Sequence, residues 1–311
     1  MEPHRISVGV VVPTLNAAKL WPTFQRGLAM QSMPLKRVLV MDTSSTDGTA
    51  ELARSVGYEV VSVRRSEFNH GGTRQSAANL MADVDVLVYL TQDAFLANEH
   101  SIENIVAPFH DPDVGAVCGR QLPRKGAGLL ESHAREFNYP AESIIRDLNY
   151  RDRAGFKAIF ASNSFSAYRA CALREIGGIP SNVIVSEETV VFARMLLNGW
   201  KTAYAGDATV YHSHDYTLIQ ELRRYFDIGV LHSREKWLLE EFGNVKGEGV
   251  RFFLSELKML WPSRLYLVPA SFMHTLVKLT GYQLGRHENK LSRAVVRSLS
   301  QQKSYWVRDH V

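Results

Sequence analysis

Four short runs of aliphatic and β-branched residues, each stopped by polar residues and parted from the next by a helical pattern, constrain this chain most. They are Ile6-Ser7-Val8-Gly9-Val10-Val11-Val12 before Pro13, Val38-Leu39-Val40-Met41 before Asp42, Val60-Val61-Ser62-Val63, and Val84-Asp85-Val86-Leu87-Val88-Tyr89-Leu90 before Thr91. Between the first two, Leu20, Phe24, Leu28 and Met30 recur at helical intervals over 19–30, and 47–56 and 75–82 repeat the theme. Apolar runs of this length read as buried strands, and their alternation with helices reads as a parallel α/β sheet. Such sheets bind ligands outside the carboxyl ends of their strands. Thr14 and Asn16, Asp42, residues 67–74, and Gln92 with Asp93 therefore mark the expected site.

The 311 residues allow one large domain, or one domain with a substantial appendage. A hydrophobic content of 45% with 22% charged residues is ordinary globular composition and excludes a disordered chain. The net charge of +4 and sequence pI near 9.0 fit an anionic partner, whether nucleotide diphosphate, nucleic acid or acidic membrane. No basic stripe with interleaved stacking aromatics appears in the first half, so nucleic acid is not expected. Cys118 and Cys171 have no Cys-x-x-Cys spacing, which predicts reduced thiols and a cytoplasmic protein. Residues 1–5 show no secretory leader, and the most apolar region, 254–282, is broken by Lys258, Pro262, Arg264, Pro269 and Lys278, so it is not expected to span a membrane. Strand-like sequence gives way to helical sequence near Asp215, which predicts a unit over 1–215, with halves at about 1–95 and 96–215, and a helical extension over 216–311.

Four constellations carry chemistry. In Phe68-Asn69-His70-Gly71-Gly72-Thr73-Arg74 the glycines permit close backbone approach, and His70 and Arg74 flank a helix start that favours an anion. A pyrophosphate on His70, Gly72 and Arg74 is the expectation, against an ordinary glycine turn. In 42–49, Thr46 and Asp47 can cap a helix, while Asp42 can accept hydrogen bonds from a base or ribose. Thr91-Gln92-Asp93 is either a cap or a cation site. Were 208–212 a strand, His212 and His214 would share a face and could complete that site. Ser186-Glu187-Glu188-Thr189 precedes a predicted helix over 190–198 closed by Gly199. One carboxylate serves the helix dipole, and the other is left for work as a base.

Val11-Val12-Pro13-Thr14-Leu15-Asn16, Val40-Met41-Asp42 through Asp47-Gly48-Thr49, the Gly72 to Arg74 loop, the Asp93 strand end and Glu187-Glu188 resemble, in order and spacing, the motifs of inverting family-two glycosyltransferases. Phe68 to Arg74, Thr91-Gln92-Asp93-Ala94, Gly119-Arg120-Gln121-Leu122-Pro123, Ser162-Asn163-Ser164 and Tyr211-His212-Ser213-His214 resemble bacterial rhamnosyltransferases within that group. Arg224-Tyr225-Phe226-Asp227-Ile228-Gly229 and Gly281-Tyr282-Gln283-Leu284-Gly285 extend the likeness.

The resemblance implies a GT-A (Rossmann-like nucleotide-diphospho-sugar transferase) fold over 1–215. It further implies transfer of rhamnose from dTDP-β-L-rhamnose to a lipid-linked saccharide of cell-surface polysaccharide, with a divalent cation, Mg2+ or Mn2+. Pro13, Thr14, Asn16, Asp42, Ser44, His70, Gly72, Arg74, Gln92 and Asp93 would bind the nucleotide sugar, with Asp93, His212 and His214 on the metal. Glu188 would be the base, with Glu187 its rival. Arg120, Gln121, Asn163 and Trp200 are the expected acceptor contacts, from a polar and aromatic mix suited to sugar hydroxyls. Thr91 stands where the family has the first Asp of Asp-x-Asp, Glu188 where Asp is usual, Thr43 for a second Asp and Gln75 for Asn. A UDP- or GDP-linked donor, a sugar nucleotidyltransferase and an inactive nucleotide-binding subunit are the alternatives. The second of these would need an early glycine-rich loop, which Val12 to Asn16 lacks. In the extension, Trp237, Phe252, Phe253, Trp261, Tyr266 and Phe272 lie among Lys236, Arg251, Lys258 and Arg264. They suit peripheral contact with the inner face of the membrane, packing on the catalytic unit, or a second subunit of a homo-oligomer.

Overall fold

The computed structural model describes residues 6–214, 216–243 and 247–307. Its strands are β1 (Val8–Thr14), β2 (Arg37–Asp42), β3 (Glu59–Ser62), β4 (Val86–Leu90), β5 (Phe95–Leu96), β6 (Val114–Leu122), β7 (Ile144–Arg146), β8 (Phe165–Arg169) and β9 (Lys201–Tyr211). They form one sheet in the order β3-β2-β1-β4-β8-β6-β9-β5, with β7 also on β9. The first four are parallel, as their continuous apolar character predicts. β8 runs antiparallel to β4 and β6, while β6 and β9 run parallel. The order reverses at β1, whose neighbours β2 and β4 lie on opposite sides, and this opens a crevice beyond their carboxyl ends.

Side-chain alternation along β1 feeds two cores. Val8, Val10 and Val12 pack with Trp21, Phe24, Leu28, Val86 and Val88 on one face. Val11 packs with Leu39, Met41, Met81, Leu87 and Tyr89 on the other. Helices occupy Trp21–Ala29, Thr49–Ser55, His70–Leu80 and Glu187–Leu197. The third begins five residues before the predicted 75–82, because the Asn69 side chain accepts the Gly72 N–H at 2.7 Å and starts the helix there.

The extension is helical, over Leu218–Arg234, Lys236–Phe242, Glu248–Leu260, Val268–Arg286 and Arg293–Leu299. Thr217 and Gln220 form a capping box at its start. The helices Leu218–Arg234 and Val268–Arg286 cross closely because Gly229, Gly281 and Gly285 carry no Cβ that would strike the opposing backbone. Phe226, Val230, Leu231, Leu238 and Phe242 enter the same core as Phe192 and Ile184 of the sheet domain. Asp215, the predicted boundary, lies outside the described residues. Among the described residues no helix is long and apolar enough to cross a membrane.

Candidate active site

Loops following β1, β2 and β4 interlock at the crevice. Asp42, 2% exposed, accepts the Thr14 hydroxyl at 3.0 Å and both the backbone N–H and the hydroxyl of Ser45, at 2.9 and 2.5 Å. The Asn16 side-chain oxygen accepts the Thr46 N–H at 3.0 Å, and Asp47 accepts from Ala18 and Thr49. The Gln92 amide grips the Leu15 backbone in both directions, at 2.7 and 3.1 Å. Asn16 and Ser44 adopt left-handed backbone at φ 49° and 51°, and Ser186 does so at 57°. These are the only such non-glycine residues among those described, and all three border the site, where strained backbone is retained for geometry rather than stability.

The helix Glu187–Leu197 opens on the two carboxylates. Glu187, 4% exposed, is ion-paired to Arg74 and accepts the Asn163 amide at 3.0 Å. Burial opposes its charge, yet the Arg74 guanidinium holds it below the ordinary carboxylate value. Glu188 has only a weaker contact, from Asn163 at 3.3 Å. Burial, and then the negative charge of Glu187, push Glu188 up to about 7. One carboxylate is spent and charged; its neighbour is poised to take a proton near neutral pH.

Asp93 meets two imidazoles: its Oδ1 lies 3.5 Å from His212 Nε2 and its Oδ2 3.6 Å from His214 Nε2. The three ligand atoms lie within 4.8 Å of one another. Gln121 Oε1 accepts from His212 Nδ1 at 3.0 Å, which leaves the Nε2 lone pair facing Asp93. Burial lowers both histidines, His214 to about 4, so both are neutral, as metal ligands must be. A carboxylate and two fixed neutral imidazoles fit a divalent cation. Beside them a cleft of about 330 Å³ is lined by Arg124, Lys125, Glu131, His214, Tyr216 and Gln220.

Three consecutive residues join the two centres. Ser162 accepts the Gln121 amide N–H at 2.9 Å, Asn163 donates to both glutamates, and Ser164 Oγ lies 3.4 Å from His212 Nε2. Asn163 is locked in turn by Ser166 and Tyr168, whose hydroxyls it accepts at 2.7 and 2.6 Å.

Residues 9–177 match the family model described as glycosyl transferase family 2. This chain belongs to that family. It is 40% identical over 302 residues to the O-antigen chain rhamnosyltransferase RfbN of Salmonella typhimurium, across 97% of this chain and 96% of that protein. It is also 40% identical over 301 residues to the O-antigen chain rhamnosyltransferase WbaN of Salmonella anatum, across 96% of each. Among solved structures, the mannosyltransferase PcManGT of Pyrobaculum calidifontis, in complex with GDP-Man and Mn2+, superposes at a TM-score of 0.57 with 17% identity, over 98% of this chain and 86% of that one. TarS 1–349 of S. aureus superposes at 0.57 with 16% identity, over 92% and 91%. The fold is GT-A, and the protein is a glycosyltransferase.

In this glycosyltransferase Pro13, Thr14, Asn16, Asp42, Ser44 and Gln92 gather at the crevice, and Asp93, His212 and His214 gather beside it. The segment expected to hold pyrophosphate, His70 to Arg74, is engaged by other parts of the protein. The Gly72 N–H is taken by Asn69, Arg74 is 6% exposed and held by Glu187, and a Cβ on Gly71 would strike the Pro180 carbonyl. Gly71 thus admits the neighbouring loop. His70 lies in the electrostatic field of Glu187 and Arg74, against Gln302 of the extension.

Of the expected acceptor contacts, Gln121 and Asn163 are 2% and 3% exposed and brace the metal and base residues from below. Arg120 donates to the Tyr139 carbonyl at 3.1 Å. Trp200 sits before β9, eleven residues from Tyr211 at the far end of that strand, against Gly115. It packs there because Gly199, at φ 84°, turns the chain out of the preceding helix. Sequence reasoning missed Arg224, which is exposed on the helix Leu218–Arg234, stacked 5.8 Å over Tyr216, with no ion-pair partner among the described residues. Its charge is felt at both Glu188 and His214. Its place at the head of the Arg224-Tyr225-Phe226-Asp227-Ile228-Gly229 segment that carries the family likeness was the available signal.

Proposed function

We propose that this glycosyltransferase moves L-rhamnose from dTDP-β-L-rhamnose, with inversion, to a lipid-linked saccharide acceptor in O-antigen-type polysaccharide synthesis. The two relatives at 40% identity, matched nearly end to end and described as O-antigen chain rhamnosyltransferases, support the sugar and the pathway. One observation carries the chemistry: the bridge of Ser162, Asn163 and Ser164 holds a raised carboxylate and a cation-binding trio side by side.

The nucleoside lies at the crevice by Thr14, Asp42 and Gln92, with Asp42 toward the base. The acceptor hydroxyl gives its proton to Glu188 as its oxygen attacks the anomeric carbon, and the bond to the diphosphate breaks on the opposite face. Glu187 and Asn163 orient Glu188 and do not exchange the proton. Arg224 meets the departing diphosphate, a role Arg74 cannot fill while paired to Glu187. Asp93, His212 and His214 would hold a divalent cation, which when bound would supply further positive charge to the leaving group, and two imidazole ligands favour Mn2+ over the oxygen-seeking Mg2+.

Donor turnover with dTDP-rhamnose and with UDP- and GDP-linked sugars, each with and without Mn2+, tests this reading. Cation-dependent turnover of dTDP-rhamnose is expected. Turnover of a UDP- or GDP-sugar with dTDP-rhamnose inert would replace the donor, and inertness to all would point to an inactive subunit.

A further inference from the structure

Among the described residues, nine of the 22 exposed large hydrophobics fall within the 30 residues from Val250 to Leu279. Along the helix Glu248–Leu260, Val250, Leu254 and Trp261 recur at spacings of four and seven and share one face, with exposed Arg251 and Lys258 beside them. Along the helix Val268–Arg286, Phe272, Leu276 and Leu279 do the same with Met273, and no charged residue stands in that stripe. The two helices meet where the Phe253 and Phe272 rings pack edge to face at 6.5 Å. The turn between them adds Trp261, Leu265 and Tyr266, at 69%, 46% and 71% exposure, and Arg264.

The aromatic residues of the extension thus divide. Phe252 turns inward against Phe137 and His133, and Trp237 packs against the core, while Trp261, Tyr266 and Phe272 face out. The acidic residues also turn in. Glu248 holds Lys157 at 2.7 Å and pairs with Arg251, and Glu256, 3% exposed, accepts from Ser271. What remains outside is a broad apolar face rimmed by cations, with no free carboxylate.

The geometry points to the surface of an anionic bilayer as what covers this face, with the two helices lying in the headgroup region and the Trp261 to Tyr266 turn dipping deepest. A second copy of the chain fits less well, since a two-fold contact would bring together two copies of the same cation-rimmed face, with no free carboxylate on either to answer Lys258 and Arg264. The inference goes beyond sugar transfer and stands whichever donor the enzyme takes.

Flotation of the full chain with vesicles of phosphatidylcholine, with and without phosphatidylglycerol, tests it. Binding is expected to the anionic vesicles and not to phosphatidylcholine alone. The triple variant Trp261→Ser, Leu265→Ser, Tyr266→Ser should abolish it without lowering Tm, because these side chains are exposed. Each unpaired cation near an anionic surface strengthens binding by a factor of about five, so Lys258→Gln and Arg264→Gln together should weaken it on the order of 25-fold. Donor turnover in solution should persist in both variants, which separates loss of docking from loss of catalysis. Absence of binding to either vesicle would overturn the inference. So would equal binding to both, or a solution dimer that the serine variant dissociates.

Discussion

Replacing Glu188 by Gln removes the proposed base while keeping its shape, and the structure sets what should follow. With Glu188 raised to about 7, the group carries its proton below that pH and is free to act as base above it. About a tenth of the molecules hold the base form at pH 6 and about nine-tenths at pH 8, so kcat/KM should rise roughly tenfold between them. A carboxylate near its ordinary 4.5 would give a flat profile there. Glu188→Gln should lose about 10²–10⁴ in kcat and the pH dependence with it. Stability should move the other way. A carboxyl group raised in the fold contributes stability below its unfolded value and loses it as pH rises through about 7, whereas Gln is neutral throughout. At pH 8 the variant should therefore melt no lower than the parent. Release of nucleoside diphosphate across pH 6–8, beside thermal melts, measures both. Near-normal transfer by a folded Glu188→Gln protein, or a flat parental profile, would refute the reasoning.

Glu187→Gln should behave differently: removing the neighbouring negative charge moves the rate profile to lower pH, and leaving Arg74 buried without its carboxylate costs about 3–5 kcal/mol in melts or denaturant titrations. Gln121→Ala frees His212 Nδ1 and should weaken Mn2+ binding about 10–100-fold by calorimetry; unchanged affinity would remove Gln121 from that role. Arg224→Gln should lower kcat more than it raises KM, read from initial rates, if Arg224 acts on the leaving diphosphate; a pure KM effect would make it a binding residue. Asp227→Ala removes the acceptor of Ser300 Oγ and of the Gln301 and Gln302 N–H groups, at 2.6, 2.9 and 3.2 Å, and should lower Tm and turnover together, since Gln302 lies against His70.

The parallel half of the sheet was legible because β1, β2 and β4 are buried on both faces and write that burial as unbroken apolar runs. The polar residues that stop those runs also marked the crevice, since strand ends and ligand site coincide in this architecture. The Asp93, His212 and His214 cluster was readable from residue type, although β9 stops at Tyr211 and the histidines lie beyond it. Side-chain roles were not readable. Nothing local tells that Arg74 spends its charge on Glu187, 113 residues away, or that Gln121 and Asn163 are buried braces instead of sugar contacts. Trp200 misled for the same reason: an aromatic beside a strand looks alike at either end, and only the sheet shows which end holds the chemistry.

Ser162, Asn163 and Ser164 are covalent neighbours, and two peptide units span at most about 7 Å. In the proposed mechanism, proton acceptor and cation seat are both contacted from that one short length of backbone, Asn163 reaching Glu188 and Ser164 reaching His212, so a shift of this backbone would disturb both contacts together.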